Sequence, residues 1–191
     1  MPNRKWLLIP ICLLAAMMFV SARWGIADFY ARTTSHELKN WAEKNSSLIL
    51  PEWEYARRRA ESSRNLDSEN PLHSEDLARL YLLRTGMPKL LINERKTALR
   101  NALSGFREAA NLRPASAYDW IMLMAVKSDL GEFDQEYLRA FDNAVFLGPW
   151  EQATALVIAD SGTKAWNRLS EQQKSQVLQY INRRSNGNKP R

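Results

Sequence analysis

The segment FREAANLRP (Phe106–Pro114) returns 35 residues later as FDNAVFLGP (Phe141–Pro149), and this internal repeat indicates the fold class. The two copies share Phe, Ala, Leu and Pro at successive spacings of three, three and two residues. This spacing places the first three side chains on one face of a helix, and the proline prevents that helix from continuing. A repeat of this length buries its apolar face only by stacking on neighbouring units. The sequence therefore predicts an all-α fold that forms a binding scaffold rather than a catalytic pocket.

A third, degenerate copy of the pattern precedes these two. It keeps the spacing of Ala102, Phe106, Ala109, Leu112 and Pro114 with weaker residues, namely Ala56, Ala60, Ser63, Leu66 and Ser68. Pro51, at a first-turn position, opens the helix that carries this copy, which we predict for residues 52–65. Further helices are predicted for residues 74–85 and 96–113, with a short apolar insertion, MPKLLINER, at residues 87–95 between them.

One complete helix-turn-helix unit is predicted from Ser116 to Pro149. Ser116 and Asp119 have the spacing of a capping box, in which each side chain satisfies a free amide of the first helical turn. Gly131 ends the first helix, and Asp134 caps the second. The turn residues thus define a pair of antiparallel helices.

This unit resembles a tetratricopeptide repeat (TPR). The matching positions are Trp120, Leu123, Gly131, Phe141, Ala144, Leu147 and Pro149. Met124 and Lys127 depart from the consensus, and the insertion lengthens one turn, so we predict a short TPR-like α-solenoid over residues 51–184 rather than a regular array. The resemblance implies a partner-binding groove along the first helices of the repeats. The candidate partner-binding residues are Tyr118, Trp120, Lys127 and Trp150.

The end of the chain resembles the cap of a solenoid. An apolar helix is predicted from Glu151 to Asp160, with Gly162 breaking it. Ser170 and Gln173 open a final helix whose polar outer face suits a C-terminal capping helix. Residues 185–191 are predicted to be a disordered basic tail.

The N-terminus carries the apolar stretch WLLIPICLLAAMMFVSA, residues 6–22 without a charge. About 17 residues is the lower limit for crossing a hydrocarbon core roughly 30 Å thick. Trp6 and Trp24 flank the stretch, as aromatic residues do at membrane interfaces. We predict a transmembrane anchor at residues 6–24, between an N-tail of residues 1–5 and a linker helix of residues 25–50. Signal-peptidase cleavage after Ala22 and a buried core helix are the alternatives.

The positive charges around this stretch are nearly balanced between its two ends, so orientation is predicted from the short N-tail. A tail of five residues usually stays in the cytoplasm and sends the following chain across. We therefore predict a single-pass protein of the bacterial inner membrane with its helical domain in the periplasm.

Charge and cysteine content limit the function classes. The net charge is +6, but Arg4, Lys5 and four basic residues of the last nine account for it, so the helical part is nearly neutral. An external domain of this charge is not expected to bind nucleic acid. Cys12 is the only cysteine and lies in the apolar stretch, which excludes an internal disulfide.

A narrower resemblance covers roughly residues 98–166. The sequences FREAANLRPASAYDW and LGPWE, after a single N-terminal membrane segment, are similar to the VpsP family of polysaccharide biosynthesis proteins. This resemblance implies a process and a membrane location but no reaction. The expected partners are proteins of a polysaccharide synthesis or export complex, and no cofactor is expected.

The chemical groups favour a protein without enzymatic activity. His36 and His73 have no cysteine or acidic partner at metal-ligand spacing, and nucleophile or phosphate-binding motifs do not occur. Glu132, Asp134 and Glu136 could supply a general acid and base for polysaccharide cleavage, although their place at a turn favours helix capping. Two alternatives to an exopolysaccharide factor therefore stay open, a general cell-envelope scaffold for division or secretion and a polysaccharide-modifying enzyme.

Overall fold

The structure is a computed structural model that describes residues 5–44, 49–148 and 152–187, with side chains described for 9–41, 49–148 and 155–182. These residues form eight α-helices and one short 3-10 helix, and no strand occurs among them. The all-α prediction is confirmed. The helices are α1 (Lys5–Lys44), α2 (Leu50–Leu66), α3 (Pro71–Thr85), α4 (Ile92–Leu112), α5 (Ala117–Leu130), α6 (Gln135–Leu147), α7 (Gln152–Lys164) and α8 (Glu171–Gly187), with the 3-10 helix at Trp166–Arg168.

The chain divides into two compact units, Met1–Leu77 and Ala78–Arg191. The division falls within α3, so the first half of this helix belongs to one unit and the second half to the other. The predicted ranges for the anchor, the linker and the helical domain stay predictions.

The first helix, α1, is continuous over 40 residues where the sequence predicted an anchor and a separate linker helix. The residues that join the two parts, Arg23 to Asp28, contain no proline, and the single Gly25 is tolerated within a helix. In the stretch Ile9–Trp41, an 18-residue window reaches a mean hydropathy of 1.8 with none of it buried. This is one helix long and apolar enough to span a membrane.

In the first unit, α2 packs antiparallel to the second half of α1. Ser63 donates a hydrogen bond of 2.9 Å to the carbonyl of Ala27, and Arg23 donates one of 2.7 Å to the carbonyl of Leu66. The buried face of α2 includes Ala56, Ala60 and Ser63, the degenerate copy of the repeat. These small side chains allow the two helix backbones to approach closely.

In the second unit, α5 packs against α4, α6 and α7, and α7 packs against α8. The Phe and Ala positions shared by the two copies of the repeat are all fully buried: Phe106, Ala109, Phe141 and Ala144. Leu112 differs from its predicted core position, since it is 41 % exposed. It is the last residue of α4, where the helix leaves the core.

Several predicted helix boundaries were wrong. Gly162 does not break α7, which continues to Lys164. A Cβ atom at Gly162 would collide with the side chain of Val177, so the glycine is needed because α8 approaches α7 closely there. Helix α4 begins at Ile92 and includes part of the apolar insertion. Helix α3 begins at Pro71, three residues before its predicted start.

The final helix, α8, begins with a complete capping box. The Ser170 hydroxyl accepts from the Gln173 amide at 3.3 Å, and the Gln173 side-chain oxygen accepts from the Ser170 amide at 3.0 Å. The helix extends through Gly187, so it includes three residues of the predicted disordered tail. Residues 188–191 lie outside the described part of the chain.

Candidate interaction surface

The four candidate partner-binding residues have different environments. Tyr118 is 38 % exposed, whereas Trp120 and Lys127 are 5 % and 1 % exposed. The Trp120 ring nitrogen donates a hydrogen bond of 2.8 Å to the carbonyl of Pro114, within the fold. Trp150 lies outside the described residues. On α5, therefore, only Tyr118 of the predicted set presents a substantial exposed side chain to a partner.

Lys127 lies beneath the turn that joins α5 to α6. Gly131 has a φ of 73°, and this left-handed residue turns the chain so that the following acids return over Lys127. The Lys127 ammonium is 2.8 Å from carboxylate oxygens of both Asp134 and Glu136, and 3.8 Å from Glu132. The charge of a buried lysine is thus compensated by acidic residues that follow the turn between α5 and α6.

Arg107 of α4 joins the same group. Its guanidinium donates hydrogen bonds of 2.5 and 2.8 Å to the two carboxylate oxygens of Glu136, a bidentate pair. Glu136 therefore accepts from α4 and α5 while lying in the first turn of α6. We call Arg107, Lys127, Asp134 and Glu136 the charge cluster.

The pKa values of the charge cluster follow from these contacts. The Arg107 hydrogen bond, against partial burial and with help from Lys127, lowers the pKa of Glu136 to about 2. Burial opposes ionisation of Asp134, but hydrogen bonds from Lys127 and from the Tyr137 amide lower its pKa overall. Burial likewise opposes the charge of Lys127, and hydrogen bonds to Asp134 and Glu136 nevertheless raise its pKa.

This arrangement is that of a structural cluster. A glycosidase needs one carboxyl group with a raised pKa to act as general acid, whereas the pKa values of Asp134 and Glu136 are both lowered. Asp134 also accepts a 3.0 Å hydrogen bond from the Tyr137 amide, which confirms the predicted capping role. Asp134 and Glu136 are thus engaged in contacts within the fold.

The predicted capping box at the start of α5 forms only in part. The Ser116 hydroxyl accepts from the Asp119 amide at 3.4 Å. The Asp119 carboxylate, however, accepts from the Arg113 guanidinium at 2.9 and 3.1 Å, and the Ser116 amide donates to the Arg113 carbonyl. A charged donor takes the place of the backbone amide, because charge-assisted hydrogen bonds are the stronger ones.

The residue that follows the shared Phe links helices in both copies of the repeat. Arg107 reaches Glu136 in the first turn of α6. Asp142, the equivalent residue 35 positions later, accepts a 2.8 Å hydrogen bond from the Gln173 amide group in the first turn of α8. Neither link was predicted from the sequence, although both residues occupy the same position of the repeat.

An open groove lies between α6 and α8, with a volume of about 570 Å³. Phe146 forms one wall and is 82 % exposed, next to the half-buried Val145. The remaining lining is polar: Asp142, Ser170, Gln172, Gln173 and Gln176. The Gln176 side-chain oxygen is buried without a hydrogen-bond partner among the described residues. The groove combines an exposed aromatic ring with amide groups.

Phe146 was not among the predicted site residues. It lies five residues after Phe141 and two after Ala144, so a helical period places it off the buried face. The spacing in the sequence was therefore enough to place Phe146 off the buried face.

The histidines occupy separate positions. His36 is exposed and lies 3.0 Å from the Asn40 side chain. His73 is 3 % exposed, with its Nε2 atom 3.6 Å from Asp67. Among the described residues, no group of three or more His, Cys, Asp or Glu side chains could hold a metal ion.

Comparison with known proteins gives no family: no family model matches this chain, and neither does any curated protein. The resemblances to tetratricopeptide repeats and to the VpsP family therefore rest on the residues quoted above.

Proposed function

We propose that this protein is a membrane-anchored, TPR-like scaffold that acts by protein–protein interaction in bacterial exopolysaccharide biosynthesis or export. Three observations support the proposal: the apolar helix α1, the repeat-like packing of α4 to α8, and the segments that resemble the VpsP family. In this proposal α1 crosses the inner membrane once. The second unit then meets its partner in the periplasm.

The observation that carries the proposal is the groove between α6 and α8. The charge cluster is occupied in holding α4, α5 and α6 together, so its polar groups are satisfied within the fold. Phe146, in contrast, leaves 82 % of its side chain exposed beside a buried glutamine oxygen without a hydrogen-bond partner among the described residues. An aromatic anchor with neighbouring amide groups suits a polypeptide segment, whose side chain fills the apolar wall and whose backbone binds the amides.

The experiment that tests this function is deletion of the gene with measurement of secreted polymer. We expect polymer output to fall and to recover with the wild-type chain. Phe146→Ser should fail to restore it, because the exposed ring is lost from the groove. Leu178→Ser, at a residue of α8 that is 50 % exposed and outside the groove, is the matched control and should restore it. Normal polymer in the deletion strain would rule out the proposal.

A second experiment separates the exopolysaccharide role from a general envelope role. A photo-crosslinking amino acid in place of Phe146 should capture a protein of the polysaccharide machinery in living cells. Capture of a division or secretion protein would assign the same groove to the alternative scaffold. A periplasmic form that lacks residues 1–22 tests the anchor, which should act by raising the local concentration of the domain near its partner.

A further inference from the structure

The connection between α3 and α4 presents apolar side chains to solvent. Leu91 is 69 % exposed and Ile92 is 85 % exposed, the largest value for a large apolar residue in the described part of the chain. These residues belong to the apolar insertion that interrupts the repeat pattern. The second unit does not use them in its core.

The conformation of this connection is held by specific contacts. Met87 is buried, and its sulfur accepts a hydrogen bond from Arg84 at 2.9 Å. Lys89 has a φ of 61°, a left-handed conformation that is unfavourable for a side chain of its size. The Glu94 carboxylate accepts a 3.0 Å hydrogen bond from the Leu91 amide. The fold therefore fixes the backbone and leaves the two apolar side chains outside.

Basic residues surround the apolar pair. Lys89, Arg95, Lys96 and Arg100 are all exposed, and the one acid of the segment, Glu94, is engaged with the Leu91 amide. We call residues 87–96 the basic apolar loop. Exposed apolar side chains flanked by Lys and Arg are typical of protein segments that lie in the interface of an anionic bilayer.

Under the proposed function, α1 holds the chain at a membrane, which gives the loop a high effective concentration of lipid. We propose that the basic apolar loop is a second membrane contact, in which Leu91 and Ile92 enter the headgroup layer and the flanking basic residues bind anionic phospholipid. This inference rests on the proposed anchor.

The test uses the full chain with Cys12→Ser, so that a single introduced cysteine carries an environment-sensitive fluorophore. Ile92→Cys places the label on the loop. Phe146→Cys, at a residue of the same unit that is 82 % exposed, is the matched control. Both chains are reconstituted in nanodiscs of phosphatidylcholine with or without one quarter phosphatidylglycerol, together with a lipid that carries a nitroxide quencher. Circular dichroism checks that each variant is folded.

We expect lipid quenching at position 92 to exceed that at position 146 at least threefold in the anionic discs. Quenching should fall by half or more in 0.5 M salt and in the variant Lys89→Gln, Arg95→Gln, Lys96→Gln, since both remove the attraction to anionic lipid. Equal quenching at the two positions would overturn the proposal. So would a fluorescence change at position 92 that follows protein concentration instead of lipid, which would indicate contact between two copies of the chain.

Reconstitution itself separates the two proposals. A chain that does not elute with the nanodiscs overturns the anchor, and the membrane role of the loop with it. A chain that elutes with the discs while its label at position 92 stays unquenched overturns the loop proposal alone.

Discussion

The two copies of the repeat have the same core and different links. In both, the shared Phe and Ala are fully buried, at positions 106 and 109 and at positions 141 and 144. The next residue along is Arg107 in one copy, which pairs with a carboxylate, and Asp142 in the other, which accepts from an uncharged amide. The repeated residues thus give the fold, while the residues between them determine which groups form each link.

The helix pairs α5–α6 and α7–α8 also differ in what holds their first helices, α5 and α7, in place. Lys127 of α5 is buried against three acids, and the residue 35 positions later is Gly162 of α7. There the space of a long side chain is taken by Val177 of α8. The α5–α6 pair is therefore held by charge as well as packing, and the α7–α8 pair by close packing.

The largest expected effect tests whether the cores are equivalent. Phe106→Ala and Phe141→Ala should each lower the free energy of unfolding of the second unit by about 3–5 kcal/mol, because each removes a fully buried ring. Hydrogen exchange of peptides from α4 to α6, read by mass spectrometry, measures this locally. Phe146→Ala, at an exposed ring, is the control and should change the value by less than about 0.5 kcal/mol. A loss of stability from only one of the two substitutions would contradict the equivalence of the two cores.

The next effect tests the charge cluster. Lys127→Met keeps the length of the side chain and leaves Asp134 and Glu136 without their buried cation, so we expect a loss of about 3 kcal/mol in the same exchange measurement. Lys164→Met removes a lysine that is 46 % exposed and paired with Asp129 and Asp160. This control should cost less than about 1 kcal/mol. Equal effects of the two substitutions would show that Lys127 contributes no more than a surface ion pair.

The pH dependence of the first link should be smaller but distinctive. The pKa of Glu136 is lowered from its ordinary value of 4.5 to about 2 in the folded chain. Its contribution is therefore fully present above pH 4.5 and is lost as the pH falls toward 2. Glu136→Gln should lower stability at neutral pH by about 2 kcal/mol and flatten the stability curve between pH 5 and pH 2.5. Thermal unfolding, measured from neutral pH down through this range, gives both the loss of stability and the slope of the curve. A stability curve for Glu136→Gln as steep as that of the wild type between pH 5 and pH 2.5 would contradict the role of Glu136 in this link.

Much of this fold could be predicted from local signals in the sequence. Pro51, Gly131, Asp134 and Ser170 mark helix boundaries through their own backbone or side-chain chemistry, and the structure places boundaries at all four. Gly162 misled the prediction because a glycine marks either a helix end or a close helix contact, and only the packing partner distinguishes them. The sequence does not name Val177 as that partner.

The candidate site was harder to predict than the fold. A lysine within a helix usually faces solvent, so nothing in the sequence indicated that Lys127 is buried. Its acidic partners lie beyond the turn that follows α5, so the spacing that relates neighbours on one helix face does not identify them. The period does predict that Phe146 is off the buried face, but it says nothing of the groove. One side of that groove is formed by α8, and α7 separates α8 from α6 along the chain.

The smallest expected effect concerns the second link itself. Asp142→Ala removes the acceptor of one hydrogen bond between a residue exposed on α6 and Gln173 of α8. A hydrogen bond to a charged group contributes about 1.5–3 kcal/mol, and solvent screens this exposed carboxylate. We therefore expect a loss of about 1 kcal/mol in the exchange of α8 peptides and little change in those of α4. Asn143→Ala, at the neighbouring position of α6, controls for the effect of a new alanine. If Asp142→Ala loosened α4 as much as α8, the two links would act as one unit, and the division between a first link of two charged groups and a second link with only one would fail.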